Sequence, residues 1–491
     1  MQNKSKINNF SEWYHSIVFD LDLLKYYDVS GCYIIMPRTY KMWEQIQNYL
    51  DKKFKLAGVD NVYFPMLISE TNLSKETSHL EGFTPEVAWV TQTGNSRLSS
   101  RLAVRPTSEC AFYPTFAEII KSHCDLPLKW NQWCSVLRWE FNDPTPFIRS
   151  REFLWNEGHC VFATKEKAHE NTLEMLEVYR RLYERVLRVP VIVGKKTTDE
   201  KFAGADDTYT LETYIPEAGR AIQCATSHSL GQNFSKIFGI KYQTDSKSGN
   251  TDFVWQTSWG LTTRSIGTTV MTHSDDKGLI LPSMVAEYQI VIVPIFKKDT
   301  AQIVDDFCKL IENHYRAMSF KVYYDTSDNR PGWKYNHWEQ RGVPLRFEIG
   351  KRDIDDASIM IYRRCDNISD KLKRPAFMNK TETAELLSNY DIKLFNKAKN
   401  ALNSAMVSVT KLDDIQNNIL NGNMNLYFGE LCENIECEKA IKQLKIKPMC
   451  RPLDQNYYTG LLSELNPEYE KKCIVCKSFT NDGICFFGRS F

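Results

Sequence analysis

Asn131-Gln-Trp-Cys-Ser-Val-Leu-Arg138-Trp-Glu140-Phe and, a short way downstream, Arg149-Ser-Arg-Glu-Phe153-Leu-Trp155-Asn-Glu157-Gly-His159 are two apolar-aromatic runs separated by a polar, proline-containing loop. Two such runs joined by turn residues predict an antiparallel hairpin. Arg138 and Glu140, two apart at the end of the first strand, share one of its faces; Arg149 opens the return. A guanidinium stays charged and grips phosphate or carboxylate through two parallel hydrogen bonds, and Phe153 offers a ring for a base. The hairpin is therefore expected to clamp a polyphosphate. An exposed, ion-paired strand accounts for the charges but not for their embedding in Trp133, Trp139, Phe141, Phe153 and Trp155.

Around this hairpin the chain has 491 residues, 42% hydrophobic, 25% charged and 12% aromatic, with a formal charge of +1. That is globular protein of roughly three domains, with no global field for nucleic acid, so RNA binding has to come from local basic patches and DNA is not expected as a partner. No run reaches the roughly 18 apolar residues of a membrane span, and the first residues carry neither a signal-peptide core nor the arginines of a transit peptide. The expected compartment is the cytoplasm. Most of the fourteen cysteines stand singly in apolar segments, as reduced buried thiols do. The C-terminal pairs Cys432-x4-Cys437 and Cys473-x2-Cys476 have the spacing of a tetrahedral thiolate zinc site, with Cys450 and Cys485 as non-ligands; six reduced thiols are the plain alternative.

Helical periodicity predicts helices over 38–56 and 165–187, and Gly58 to Ile68 reads as a buried strand with Pro65 marking an edge or pairing boundary. Short strands fill 190–282, with alternation over Thr208–Tyr214. Hairpinned strands and blocks of helices argue an α+β first domain over 1–284. Strands then alternate with helices over 285–380, predicting a small α/β domain with a mainly parallel sheet. Residues 381–491 open with a helix from Thr381 to Ser408 and close with the cysteines.

Three further islands carry polar chemistry. Thr107 and Glu109 in Arg105-Pro-Thr-Ser-Glu109 share a face if extended, and suit an ammonium or iminium group; a surface turn is the alternative. Gln223, Thr226 and His228 lie in Gly219-Arg-Ala-Ile-Gln-Cys-Ala-Thr-Ser-His-Ser-Leu-Gly231. Ser258-Trp-Gly260-Leu-Thr-Thr-Arg264 leads one arginine into a helix start, where anions are favoured, although a capped helix with Thr262 or Thr263 reads equally well.

In this order the proline-ended strand, the Arg138-x-Glu140 hairpin and the Gly-Leu-x-x-Arg264 segment resemble the three motifs of class II aminoacyl-tRNA synthetases. Ser11-Glu-Trp-Tyr14, Asp28-x-Ser-Gly-Cys-Tyr-Ile34, Pro85-Glu-Val-Ala-Trp-Val-Thr91, Arg105-Pro-Thr-Ser-Glu109, Arg151-Glu-Phe-Leu-Trp-x-Glu-Gly-His159, Glu200-Lys-Phe-Ala-Gly204, Thr226-Ser-His228, Gln256-x-Ser-Trp-Gly-Leu-Thr-Thr-Arg264 and Phe487-Gly-Arg-Ser490 resemble the prolyl-tRNA synthetases of eukaryote/archaeal type, from about residue 10 to the last. The resemblance implies an antiparallel-sheet class II catalytic domain, an α/β anticodon-binding domain and a C-terminal zinc-binding α+β domain. It also implies activation of L-proline by ATP with Mg2+, transfer to tRNA(Pro), and a homodimer through the Gly58–Ile68 region.

Carried over residue by residue, Arg138 bridges the proline carboxylate and the α-phosphate, while Arg149 and Arg264 hold the β- and γ-phosphates. Phe153 stacks on adenine with Arg264 on its other face, Glu140 orients the nucleotide, and Gln223 and Thr226 line the ribose side. Thr107 and Glu109 receive the secondary amine; Trp155, Glu157, His159, Phe202 and His228 wall the ring, closed by Ser258 and Gly260. Glu212 is the expected supporting carboxylate for magnesium, and Cys432, Cys437, Cys473 and Cys476 the zinc ligands. Pro331-Gly-Trp-Lys-Tyr-Asn-His337-Trp-Glu-Gln-Arg341 offers rings and charges for anticodon bases. Only about 100 residues separate the hairpin from Arg264, too few for a large inserted editing module. The chain departs from the family's pattern at Cys224-Ala225, where Gly-Gly is usual, and at Phe491 in place of tyrosine. A synthetase for threonine, glycine or histidine and an inactive RNA-binding relative are the rivals; the intact arginines speak against the second.

Overall fold

A computed structural model of the chain describes residues 5–77, 86–140, 143–244, 249–296, 299–374, 376–467 and 469–491. The expected hairpin forms. Strand Leu128–Leu137 runs antiparallel to Glu152–Phe162, with Leu128 opposite Val161 and Leu137 opposite Glu152. Phe141 lies outside the described residues.

The hairpin belongs to an eleven-stranded sheet. Its spatial order is Met406–Ser408, Leu426–Glu430, Ile484–Gly488, Lys447–Pro452, Ile192–Lys195, Asp207–Ile215, Arg220–Gly231, Trp255–Thr262, Glu152–Phe162, Leu128–Leu137 and Asp60–Asn61. Pairing is antiparallel except at the two ends. Helices cover one face. Pro37, preorganised for a first helical turn, starts Pro37–Leu56, which buries Trp43, Ile46, Leu50 and Phe54. Thr164 caps Lys165–Arg181, accepting from the Lys167 N–H at 3.3 Å, and this helix adds Met175, Leu176 and Tyr179 before a π-helical turn over Leu182–Val186. Trp259 packs into that layer against Phe54 with ring centroids 4.8 Å apart. A Cβ at Gly158 would lie 2.1 Å from the Trp259 indole, so only glycine lets the hairpin lie flat there. The other face of the same strands is left for the site.

Several expectations change. The segment from Gly58 to Ile68 is not one buried strand: Asp60–Asn61 pairs at the sheet edge, and after Pro65 the chain joins a separate three-stranded sheet through Leu67–Ser69. Proline cannot donate to a ladder, so pairing changes hands there. Thr208–Tyr214 shows no alternation in burial but is buried residue after residue, because the strand is central and covered on both faces. The helix predicted from Thr381 to Ser408 spans Lys380–Ser404, and Ser408 ends a strand.

The α/β module orders its strands Val322–Tyr324, Ile290–Ile295, Leu345–Gly350, Ser358–Arg363, Ile368–Lys373. The first three are parallel and the last two form an antiparallel edge. The C-terminal segment is continuous with the first domain's sheet: Arg451 sits opposite Lys195 and Pro452 opposite Gly194. A Cβ on Gly194 would meet the Arg451 carbonyl and Cys450 Sγ at 2.6 Å; its absence makes the seam.

Candidate active site

Alternation builds the floor of the site. Phe153, Trp155, Glu157 and His159, each two residues from the next, point to the face away from the helices. Register extends this row sideways: Glu157 faces Gln132 on one side and Gly260 on the other, and Gly260 faces Thr226; His159 faces Ser258, which faces His228. Apart from Gln132, these residues line a cavity of about 340 Å³, together with Thr107, Glu109, Arg138, Phe202, Gln223 and Arg264.

At one end lie the carboxylates. Glu157 is buried and accepts the Ser108 N–H at 3.1 Å, the Ser108 hydroxyl, Gln132 Nε2 at 3.0 Å and His159 Nε2 at 3.3 Å. Burial alone would push its carboxyl up. The bonds from His159, Ser108 and Gln132 outweigh it and hold the carboxyl below the usual range. Ser108 is thereby fixed between Thr107, whose hydroxyl donates to Glu109, and Glu109 itself. Gln132 Oε1 also accepts the Phe64 N–H. The buried Arg105 donates to Phe64 O at 2.8 Å and Ser135 O at 2.9 Å, closing the loop that presents Thr107. Cys134 accepts from Trp155 Nε1 at 3.2 Å; burial, then the Glu157 charge, push its thiol up to about 12. His228 Nδ1 is hydrogen-bonded to Thr208 Oγ1 at 2.9 Å, and its ring lies 4.8 Å from that of Phe202. Burial and the nearby His159 pull it down to about 3, so it is neutral.

At the other end lie the arginines. Arg264 begins helix Arg264–His273 and donates to Ile148 O and Gln223 O, each at 3.1 Å. Burial lowers its pKa, with the charges of Arg138 and Arg149 adding to the effect. Arg138 stands between the ends: Nε donates to Pro106 O at 3.0 Å, and its guanidinium lies 5.5 Å from the Phe153 ring and 5.4 Å from that of Trp155.

Three expected residues stand elsewhere. The first strand stops at Leu137, and the Trp139 N–H turns away to Glu86 O; Glu140 is exposed in the turn and does not line the cavity. Arg149 is exposed near the rim, close enough to Arg220 and Arg264 for its charge to act on both. Glu212 is buried and ion-paired with Lys196 at 2.6 Å, accepting also from Thr210 at 2.8 Å. Its carboxylate is spent on a neighbouring ammonium, so the magnesium assignment falls. The cavity's carboxylates are Glu109, Glu157 and Glu200, each with its own partner at the end away from Arg264, so this set does not fit a magnesium ion at the phosphates. Conversely, Ser108, Gln132, Cys134, Thr208 and Glu200 went unassigned; Gln132 and Cys134 sit in the quoted hairpin directly opposite Glu157 and Trp155, so register supplies what residue type did not.

A second cluster lies far along the chain. The sulfurs of Cys432, Cys437, Cys473 and Cys476 lie within 4.8 Å of one another, Cys432 and Cys476 at 3.9 Å. Four converging thiols fit a tetrahedral metal ion. Cys450 and Cys485 are buried apart from them.

Known proteins decide the family. Residues 89–273 match the class II core domain of tRNA synthetases (G, H, P, S and T), and residues 289–382 the anticodon-binding domain. The cytoplasmic proline–tRNA ligase of Arabidopsis thaliana is 43% identical over 458 residues, covering 92% of this chain and 85% of the plant protein. The chain belongs to the proline–tRNA ligase family. Prolyl-tRNA synthetase from Cryptosporidium parvum, solved with L-proline and AMP, superposes with a TM-score of 0.90 at 40% identity, covering 99% of this chain and 96% of that one. The family also includes longer proteins: the bifunctional glutamate/proline–tRNA ligase of Mus musculus is 43% identical over 99% of this chain, which spans 33% of the mouse protein. The class II core of this family member carries the whole cavity, and its anticodon-binding domain is the α/β module.

Proposed function

We propose that the chain activates L-proline with ATP and transfers the prolyl group to the 3′ end of tRNA(Pro), in the cytoplasm and without an inserted editing domain. The observation that carries this is the single cavity in which Thr107 and Glu109 stand at one end, Gln223 and Arg264 at the other, and Arg138 between them. Glu109 meets the ammonium of proline, and Thr107, held by its bond to Glu109, accepts a second N–H. Trp155, Phe202 and His228 enclose the ring, and the neutral His228 adds no charge to repel the amine. Adenine stacks on Phe153. The proline carboxylate attacks the α-phosphorus, forming a C–O–P bond as the bond to pyrophosphate breaks. No general base is needed, since the carboxylate is already ionised. Arg138 spans carboxylate and α-phosphate, and Arg264 with Arg149 takes the charge leaving on pyrophosphate; positioning and preorganised charge are what such a transfer needs. In the second step a hydroxyl of the terminal tRNA ribose attacks the prolyl carbonyl and AMP leaves.

Four structural proposals accompany this. The domains divide at 1–284, 285–380 and 381–491, and the four cysteines hold a structural zinc. The dimer forms through the edge after Gly58, where Tyr63, Met66 and Leu67 are exposed; exposed apolar residues grouped along one edge suit a partner. The α/β module receives the anticodon, with Trp333 half exposed and stacked on His337 at 4.6 Å. Charging of total tRNA with labelled amino acids tests the function: label from proline enters the acid-precipitable fraction. Label from threonine, glycine or histidine instead would assign the cavity to another synthetase, and none from any amino acid would favour an RNA-binding role.

A further inference from the structure

The cysteine cluster and the cavity are joined by one helix. Helix Ile435–Gln443 carries Cys437 and, on its next residue, the buried Glu438, which accepts from Thr197 Oγ1 at 2.9 Å. One turn on, Lys442 Nζ reaches both Asp199 and Glu200, the latter at 2.6 Å, and Lys447 stands 3.8 Å from Glu200. Thr197, Asp199 and Glu200 belong to the turn that follows strand Ile192–Lys195. That turn is held internally by Glu200 and Lys201 N–H groups donating to Thr197 O. It ends at Phe202, whose N–H donates to Thr208 Oγ1 at 2.9 Å and whose ring covers His228. Glu200 and Phe202 both line the cavity.

Apart from these contacts the turn is held by Lys201 Nζ donating to Asp206 O at 3.3 Å. Its own strand is four residues long and Asp199 and Lys201 are exposed, so a turn of this kind belongs to the less stable class of local structure. Each ion pair is partly exposed and weak alone. Three contacts from one rigid helix, one of them buried, act together because the helix is itself fixed at the cysteine cluster.

Resting on the reading that proline occupies this end of the cavity, we propose that Lys442 and Glu438 are positioning residues for proline: the cysteine module straps the Thr197–Phe202 turn in the form that closes the ring pocket. A turn closed only part of the time weakens apparent affinity by the fraction closed, so Lys442→Ala is expected to raise the proline KM about five- to tenfold. It is expected to leave kcat and the ATP KM within about twofold, since the turn touches neither the arginines nor Phe153. Lys442→Arg keeps the charge and is expected to restore most of the proline affinity.

The test is proline-dependent ATP–pyrophosphate exchange on the full chain and both variants. It is paired with hydrogen exchange of the 197–202 amides with and without proline, and with metal content as a check that the module is intact. Wild-type amides protected by proline, together with a KM raised in Lys442→Ala, faster exchange of those amides and rescue by Lys442→Arg, bear the proposal out. An unchanged proline KM in Lys442→Ala with the wild-type turn still protected by proline overturns it. Absence of proline-dependent ATP–pyrophosphate exchange in the wild-type protein overturns the functional reading beneath it instead.

Discussion

Glu157 is the residue on which the carboxylate end of the cavity depends, because it holds Ser108, Gln132 and His159 in place. Changing it to Gln preserves its shape but offers N–H groups where Ser108 and Gln132 already donate. Two buried donors would lose their acceptor at roughly 1–3 kcal/mol each. Glu157→Gln is therefore expected to lower stability by about 2–6 kcal/mol and to raise the proline KM more than the ATP KM; chemical denaturation and exchange kinetics read the two effects separately. Arg138 is different in kind, since in the proposed reaction it bridges both reacting groups. Arg138→Ala is expected to cost about 10²–10³ in proline-dependent exchange while tRNA binding by filter retention stays within twofold or so. The buried histidines bring a pH dependence. His228 is pulled down to about 3 and His273, buried and donating to Leu187 O, to about 4. Both are depressed below the unfolded value of about 6.5, so the unfolded chain takes up protons first. Stability is full above that value and is lost as pH falls below it, by about 1.4 kcal/mol per pH unit for each histidine. Urea midpoints at pH 7.5 and pH 5 check the sign; a midpoint that does not fall at pH 5 contradicts it. At this scale the sequence told most about residues at alternate positions of one strand, Phe153 to His159. It told least about Glu140 and Glu212, where residue type suggested a role that a strand ending one turn early, and a neighbouring lysine, had already decided.

Among the elements, helix Pro37–Leu56 and the aromatic hairpin were legible because each writes its period into apolar residues. The edge from Gly58 to Ile68 was not, since a run of apolar residues does not say which strand it pairs with. The strands Lys447–Pro452 and Ile484–Gly488 were equally hidden: their joining to the catalytic sheet rests on the small size of Gly194, a contact distant in sequence. That seam makes Gly194→Ala a severe change, expected to unfold the C-terminal segment, with loss of protection in 447–452 by hydrogen exchange. The four cysteines were legible from spacing alone. Elemental analysis of freshly purified protein is expected to give one zinc per chain. Chelation is expected to lower the thermal midpoint and raise exchange in helix Ile435–Gln443; protein without zinc and unaffected by chelator would leave four reduced thiols.

At the scale of the whole molecule, one continuous sheet runs from the hairpin to the cysteine module, so the first domain and the C-terminal segment share a single backbone network, while the α/β module keeps its own five-stranded sheet. In the proposed dimer the exposed Tyr63, Met66 and Leu67 would face the second copy. Sedimentation is expected to show a species of twice 57.1 kDa, shifted toward the monomer by Tyr63→Glu; a wild-type monomer at micromolar concentration would remove the dimer. The central claim is that one cavity selects proline and joins it to ATP. The most direct measurement is ATP–pyrophosphate exchange by the full chain with a panel of proline, threonine, glycine, histidine and alanine. Proline is expected to support the fastest exchange at the lowest concentration. Exchange with threonine, glycine or histidine that matches or exceeds the rate with proline would contradict it.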